Sequence, residues 1–205
     1  MAVALLAAGL VSCQKEPGFK VEGEVSGAAD KMLYLEQSGL EGIVPLDSVE
    51  LDNSGTFRFS QARPMSPEYY RLRIDDKVIN FSVDSTETVT FKADYPNFAT
   101  AYQVEGSENN TKIKELVLLQ ADLQANVDRL SQSGLPAGDI QDSLMTLVNA
   151  YKDQVKHNYI FKGPNMTYAY FALFQTLNGY MIFDPLTNRE DIKSFAASAT
   201  SLNNQ

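Results

Sequence analysis

Few residues in this sequence could do chemistry, and fewer still have partners at a useful spacing. His157 is the only histidine and Cys13 the only cysteine among 205 residues. A zinc site or a redox pair needs more of these side chains than the chain holds. No Gly-x-Ser-x-Gly, Walker or dinucleotide motif is present. His157 falls on the polar side of a helical pattern and is expected to be a solvated helix residue. Asp52-Asn53-Ser54 starts like a calcium loop, but the twelfth position is Arg63 rather than Glu, so that reading fails. Asp47 and Ser48 are expected to fix a strand end or turn through side-chain to backbone bonds.

The densest aromatic cluster is Tyr168, Tyr170, Phe171, Phe174 and Tyr180. In a saccharide site such rings make stacking platforms, so Tyr168, Tyr170, Phe174 and Tyr180 are the candidate ligand contacts. Ala169, Ala172 and Leu173 share the same helix, however, and a helix apolar nearly all round is usually buried. Core is the expected role. No catalytic residue, cofactor or metal site is expected.

Cys13 is different, because its surroundings have a purpose. Met1 to Ser12 reads MAVALLAAGLVS, uncharged throughout. That run is shorter than the roughly 20 residues a spanning helix needs, but it fits the apolar core of a secretory signal. Leu10-Val11-Ser12-Cys13 is similar to a bacterial lipobox, in which small residues let a peptidase reach the bond before a cysteine alkylated with diacylglycerol. A lipidated Cys13 is expected, with the membrane reached through at least two acyl chains. The expected location is the cell envelope, on the periplasmic face or the outer-membrane surface. Cys13-Gln14-Lys15-Glu16 is faintly similar to a surface-export tag. The formal net charge of −9 argues against nucleic acid and against a basic patch on anionic lipid.

The elements that must carry any site divide the chain. Residues 1–12 read as signal peptide, 13–18 as lipidated linker, 19–105 as a β domain and 106–205 as a helical spacer. Phe19 to Val25 alternates with period two, and Lys31 to Gln37 reads as its partner across Gly27–Asp30. Ile43 to Leu51 and Thr56 to Ser60 flank Asp52-Asn53-Ser54-Gly55, a turn rich in residues that tolerate left-handed backbone, which predicts a hairpin. Further strands are expected at 69–74, 78–83 and 88–93. The fold class is α+β: an N-terminal antiparallel β-sandwich or partly closed barrel, then a helical hairpin plus two shorter helices.

After Gly106 the period changes. Ile113, Leu116, Leu119, Leu123, Val127 and Leu130 advance by threes and fours and predict a helix over 107–133. Asp139 is placed to cap a second helix over 139–162, with Ile140, Leu144, Leu147, Tyr151, Val155 and Tyr159 on one face. Leu116, Leu123, Leu144 and Tyr151 are expected to be buried, and Lys114, Asp128, Lys152 and His157 wet. A third helix is expected from Gly163-Pro164-Asn165 through Leu177, closed by Asn178-Gly179. A fourth starts at Thr187 or Asn188, where Thr187 and Glu190 have capping-box spacing, and carries Ile192, Phe195, Ala196, Ala199 and Leu202 as its stripe.

Leu46 to Phe59 (LDSVELDNSGTFRF) resembles the strand-turn-strand of an N-terminal domain of unknown function found in Gram-negative lipoproteins. Those lipoproteins carry a C-terminal thioredoxin-like thiol-disulfide oxidoreductase of the TlpA and ResA type. Pro67-Glu68-Tyr69-Tyr70, Val104-Glu105-Gly106-Ser107 with Asn110, and Ile182-Phe183-Asp184-Pro185 resemble that family too. The resemblance covers residues 19–202 and implies a β domain and a helical spacer ahead of a redox domain. No Cys-x-x-Cys is present to carry the family's catalytic residues. The expectation is a lipid-anchored, non-catalytic module that binds or positions a periplasmic protein or a thioredoxin-like domain. The alternatives are a truncated oxidoreductase and a surface glycan-binding lipoprotein.

Overall fold

The computed structural model describes residues 18–39 and 41–203, so Cys13 and the apolar run before it lie outside the described residues. Eight strands come first: β1 (Gly18–Ser26), β2 (Met32–Gly39), β3 (Gly42–Glu50), β4 (Thr56–Ala62), β5 (Glu68–Ile74), β6 (Lys77–Val83), β7 (Thr88–Asp94) and β8 (Tyr102–Glu105). They form two four-stranded sheets, ordered β4-β1-β7-β8 and β3-β2-β5-β6, and neither closes into a barrel. Neighbours are antiparallel except β1 and β7, which run parallel. Period-two alternation sets the faces. On β5, Tyr70, Leu72 and Ile74 point inward while Tyr69, Arg71 and Arg73 are only partly covered. The inward faces meet in one core, where Phe19 packs on Tyr70 at 4.9 Å and Phe81 meets Phe91 edge-on at 5.3 Å.

Two expected hairpins are crossovers instead. The Asp52–Gly55 turn forms: Asp52 accepts from the Ser54 N–H at 2.8 Å, and Gly55 takes φ 65° beside the Val25 carbonyl. Yet β3 pairs with β2 while β4 pairs with β1, so the turn carries the chain from one sheet to the other. Likewise β2 is not the partner of β1. Turn chemistry is local, but pairing follows which apolar face must be buried. A tight hairpin does form at Asp75-Asp76, where Ile74 pairs with Lys77.

Four α-helices follow: α1 (Glu108–Ser131), α2 (Ala137–Val155), α3 (Thr167–Leu173) and α4 (Arg189–Asn203). Ser107 caps α1 by accepting from the Asn110 N–H. Asp139 does not cap α2; it lies in the first turn, where its charge suits the helix dipole. The expected continuous helix to 162 widens at Lys156–Ile160 into a π-helical turn that buries both Tyr159 and Ile160. Leu116, Leu123 and Tyr151 are buried as expected, whereas Leu144 is half-buried. Asp128 and His157 are exposed, and Lys114 is half-buried over the Tyr102 ring.

Lys152 corrects the expectation outright. It is buried, because its ammonium meets the buried Asp191 carboxylate at 2.5 Å. The third helix also stops early, at Leu173, and Asn178-Gly179 turns a short hairpin between β9 (Thr176–Leu177) and β10 (Tyr180–Met181). Asn178 and Gly179 both have positive φ, the backbone a two-residue hairpin requires. At α4 the capping box is not made: Asn188 accepts from the Glu190 N–H, while Thr187 donates to Asp184.

Candidate functional site

The β-sandwich and the helices are joined by one buried polar knot. Strand β6 is an edge, and its Ser82 backbone would be left without a partner there. Asn110 supplies both bonds, accepting from the Ser82 N–H at 2.7 Å and donating to the Ser82 carbonyl at 2.9 Å. The Ser82 hydroxyl shares a 2.7 Å bond with Thr167 at the start of α3. Tyr69 donates its hydroxyl to the Thr167 carbonyl at 2.5 Å. Burial pushes the Tyr69 phenol far up, so it remains a donor at any physiological pH.

This knot ties α3 to β5 and β6 through Tyr69 and Ser82, and beside it lies a groove of about 800 Å³ lined from both the sheet and α3. Tyr69, Tyr170, Phe171 and Phe174 line it, together with Asn80, Gln120 and Leu202 of α4. Tyr69 and Tyr170 stack at 6.1 Å, and Tyr170 meets Phe174 at 4.8 Å. Among the described residues lining it, Glu68 alone is charged. The floor is stiffened from below: Gln175 accepts from Tyr151 at 2.5 Å and donates to the Leu116 carbonyl at 3.0 Å. Gln120 holds the Thr176 carbonyl.

Next to the groove, Glu36 lies buried under Arg71 and Arg73, with contacts of 2.5 and 2.9 Å. Burial would raise its carboxyl, but the bonds from Arg73 and Arg71 prevail and hold it below the ordinary carboxylate value. Arg73 also covers the Tyr34 ring.

The four candidate contacts part company. Tyr170 is 40% exposed and Phe174 49%, against the expectation that both are core. The reason is the way α3 is turned: Tyr168, Ala169, Ala172 and Leu173 take its buried side, and Tyr170 and Phe174, four residues apart, share the side away from them. Tyr168 is buried against Tyr159, and Tyr180 is 81% exposed on the β9–β10 hairpin, away from the groove lining. Tyr69 and Asn80 were missed, although the alternation of β5 signals Tyr69, an aromatic on the face opposite Tyr70, Leu72 and Ile74. His157 is exposed with Nδ1 2.7 Å from the Asp153 carbonyl. The Asp47 carboxylate accepts from the Ser48 N–H at 2.8 Å, mid-strand beside the bulge opposite Leu35 and Glu36. Among the described residues no cluster of His, Cys, Asp or Glu is placed to hold a metal ion. No helix among them is long and apolar enough to cross a membrane.

Residues 19–113 match a family described as a domain of unknown function, DUF4369. The match reaches from β1 into α1 and so includes Asn110. No curated protein matches the chain. Among solved structures, (S)-allantoin synthase is similar at 9% identity and TM-score 0.34, over 45% of each chain. A 9R-lipoxygenase from Cyanothece PCC8801 is similar at 9% identity and TM-score 0.26, over 82% of this chain and 32% of its own. The chain thus spans less than half the length of either protein, and at these scores neither likeness carries a fold or an activity over.

Proposed function

We propose that this chain is a lipid-anchored, non-catalytic module of the cell envelope that binds or positions a partner, and that the groove is the partner's seat. The carrying observation is that Tyr170 and Phe174 turn outward beside Tyr69 in a groove with a single charged lining residue. Exposed aromatic rings with few charges are what the centre of a protein interface is made of. Leu10-Val11-Ser12-Cys13 supports the anchor. The non-catalytic reading rests on a chain with one cysteine, for lipid, and one histidine, on an exposed helical turn. The partner is a periplasmic protein or a thioredoxin-like domain, in keeping with the resemblance to thioredoxin-like lipoproteins, which would make this chain their N-terminal region. A second reading, a surface glycan, is favoured by the stacked Tyr69–Tyr170 pair in a groove that the amides of Asn80 and Gln120 also line.

Detergent partitioning and palmitate-analogue labelling should both be lost in Cys13→Ala; unchanged partitioning overturns the anchor. Formaldehyde cross-linking in intact cells should recover one envelope protein with the wild type and lose it with Tyr170→Ala/Phe174→Ala. Release of the wild type from its surroundings by soluble oligosaccharide, with no cross-linked protein, gives the groove to a glycan. Recovery that the double variant leaves unchanged removes the groove as the seat.

A further inference from the structure

The connections of the β-sandwich gather at its two ends. Gly18, at the start of β1, stands beside Ala62, the last residue of β4, while Ser26 stands beside Asp94 at the far end of β7. The β2–β3, β4–β5, β6–β7 and β8–α1 connections share the Gly18 end. The β1–β2, β3–β4, β5–β6 and β7–β8 connections share the other, about 26 Å away along the nine residues of β1. The two ends differ in what they leave uncovered. Among the described residues, the large apolar side chains that the sandwich exposes are Ile43, Val44 and Met65 at the Gly18 end and Met32 at the other. Met65 is 105% exposed in the β4–β5 connection, between Pro64 and Pro67, and so adds no packing to the fold. In the connections of the opposite end Ala28, Leu51 and Phe98 are turned inward and buried.

We propose that the Gly18 end is the face by which the sandwich lies on the membrane, with Met65 seated among the lipid headgroups; this rests on the anchoring of Cys13 argued above. What selects lipid as the cover is the tether. Four residues separate Cys13 from Gly18, and even fully extended they let Cys13 stand no more than about 18 Å from it. A cysteine acylated into the bilayer therefore brings this end to the headgroups and leaves the other beyond them. Because Ala62 pairs with Gly18, the loop that carries Met65 springs from the point where the tether enters. Charge sets the kind of surface. Arg63 is exposed beside Met65 and can donate to a lipid phosphate. Glu41, Asp84 and Glu87 belong to the same end, so a zwitterionic surface fits and an anionic one is repelled. Three apolar side chains do not hold a protein at a membrane, since one whole acyl chain does so only marginally. The acyl chains retain the protein, and this face orients it. Ser38, Gly39, Pro67 and Glu68 of the groove lining are at this end too, so whatever occupies the groove meets it near the bilayer surface.

The test uses the full chain, acylated in the cells that express it and reconstituted in phosphatidylcholine vesicles that carry headgroup spin-labelled lipid. Ser66→Cys and Asn53→Cys each put a thiol-reactive fluorophore on an exposed connection, one at either end of the sandwich. Acylated Cys13 has no thiol, so the wild type should take no dye. Quenching by the spin label should be several-fold stronger at 66 than at 53, and adding Met65→Asp to Ser66→Cys should weaken it. Equal quenching at the two positions, whether strong or absent, or stronger quenching at 53, overturns the orientation while the anchor stands. Quenching at 66 that Met65→Asp leaves unchanged removes Met65 from the contact and overturns the face proposed. A chain that does not float with the vesicles, or a wild type that takes the dye at Cys13, overturns the anchor and the orientation with it.

Discussion

The β-sandwich and the helical half solve burial in opposite ways. In the sandwich, apolar side chains fill the centre and the large rings meet one another across the sheets. The helical half buries an ion pair, a glutamine and two serines, and leaves Tyr170, Phe174, Ile192 and Leu202 in water. A half that adds buried polar contacts to its apolar core and keeps aromatic rings at its surface is shaped by more than its own stability. Large apolar surface on a soluble face marks a place where something binds.

The sharpest way to break the comparison is Phe81→Ala. This fully buried ring touches Tyr70 and Phe91, and its loss should cost roughly 3–5 kcal/mol in urea unfolding; a cost under 1 kcal/mol would mean the sandwich is not held by its apolar centre. Asp191→Leu should cost about as much, because it leaves Lys152 buried and unpaired. Lys152→Met/Asp191→Leu should recover most of it, and a double variant no better than the single would contradict the pair. Asn110→Ala comes next, at about 1–3 kcal/mol for each Ser82 backbone group it orphans.

Acid gives a smaller, directional effect. The Glu36 carboxyl is held below its unfolded value of 4.5, so its contribution is complete above that pH and is lost as pH falls through the lower folded value. Urea midpoints measured from pH 7 to pH 3 should fall more steeply for the wild type than for Glu36→Gln, and parallel curves would contradict the assignment.

The legible part of the sequence was whatever depends on a period. Strand positions followed from alternation, and Leu116 and Leu123 from helical spacing. Pairing was not legible, because the Asp52–Gly55 turn has the same local chemistry whether it closes a hairpin or crosses between sheets. The groove was hidden for a related reason. An apolar stripe says that a face wants cover, not whether this chain supplies it, and at α4 the stripe lost its place to Asp191, whose partner Lys152 lies 39 residues away. No local pattern reports a pair so far apart.

The smallest expected effect is the most telling. Tyr170→Ala/Phe174→Ala should cost only about 0.5–1.5 kcal/mol per site, the worth of the aromatic pairs that each half-exposed ring makes. That result is expected if the two rings serve a partner and not the fold. A loss of about 3–5 kcal/mol, the cost of emptying a core position, would show that they are interior after all and would contradict the account of the groove.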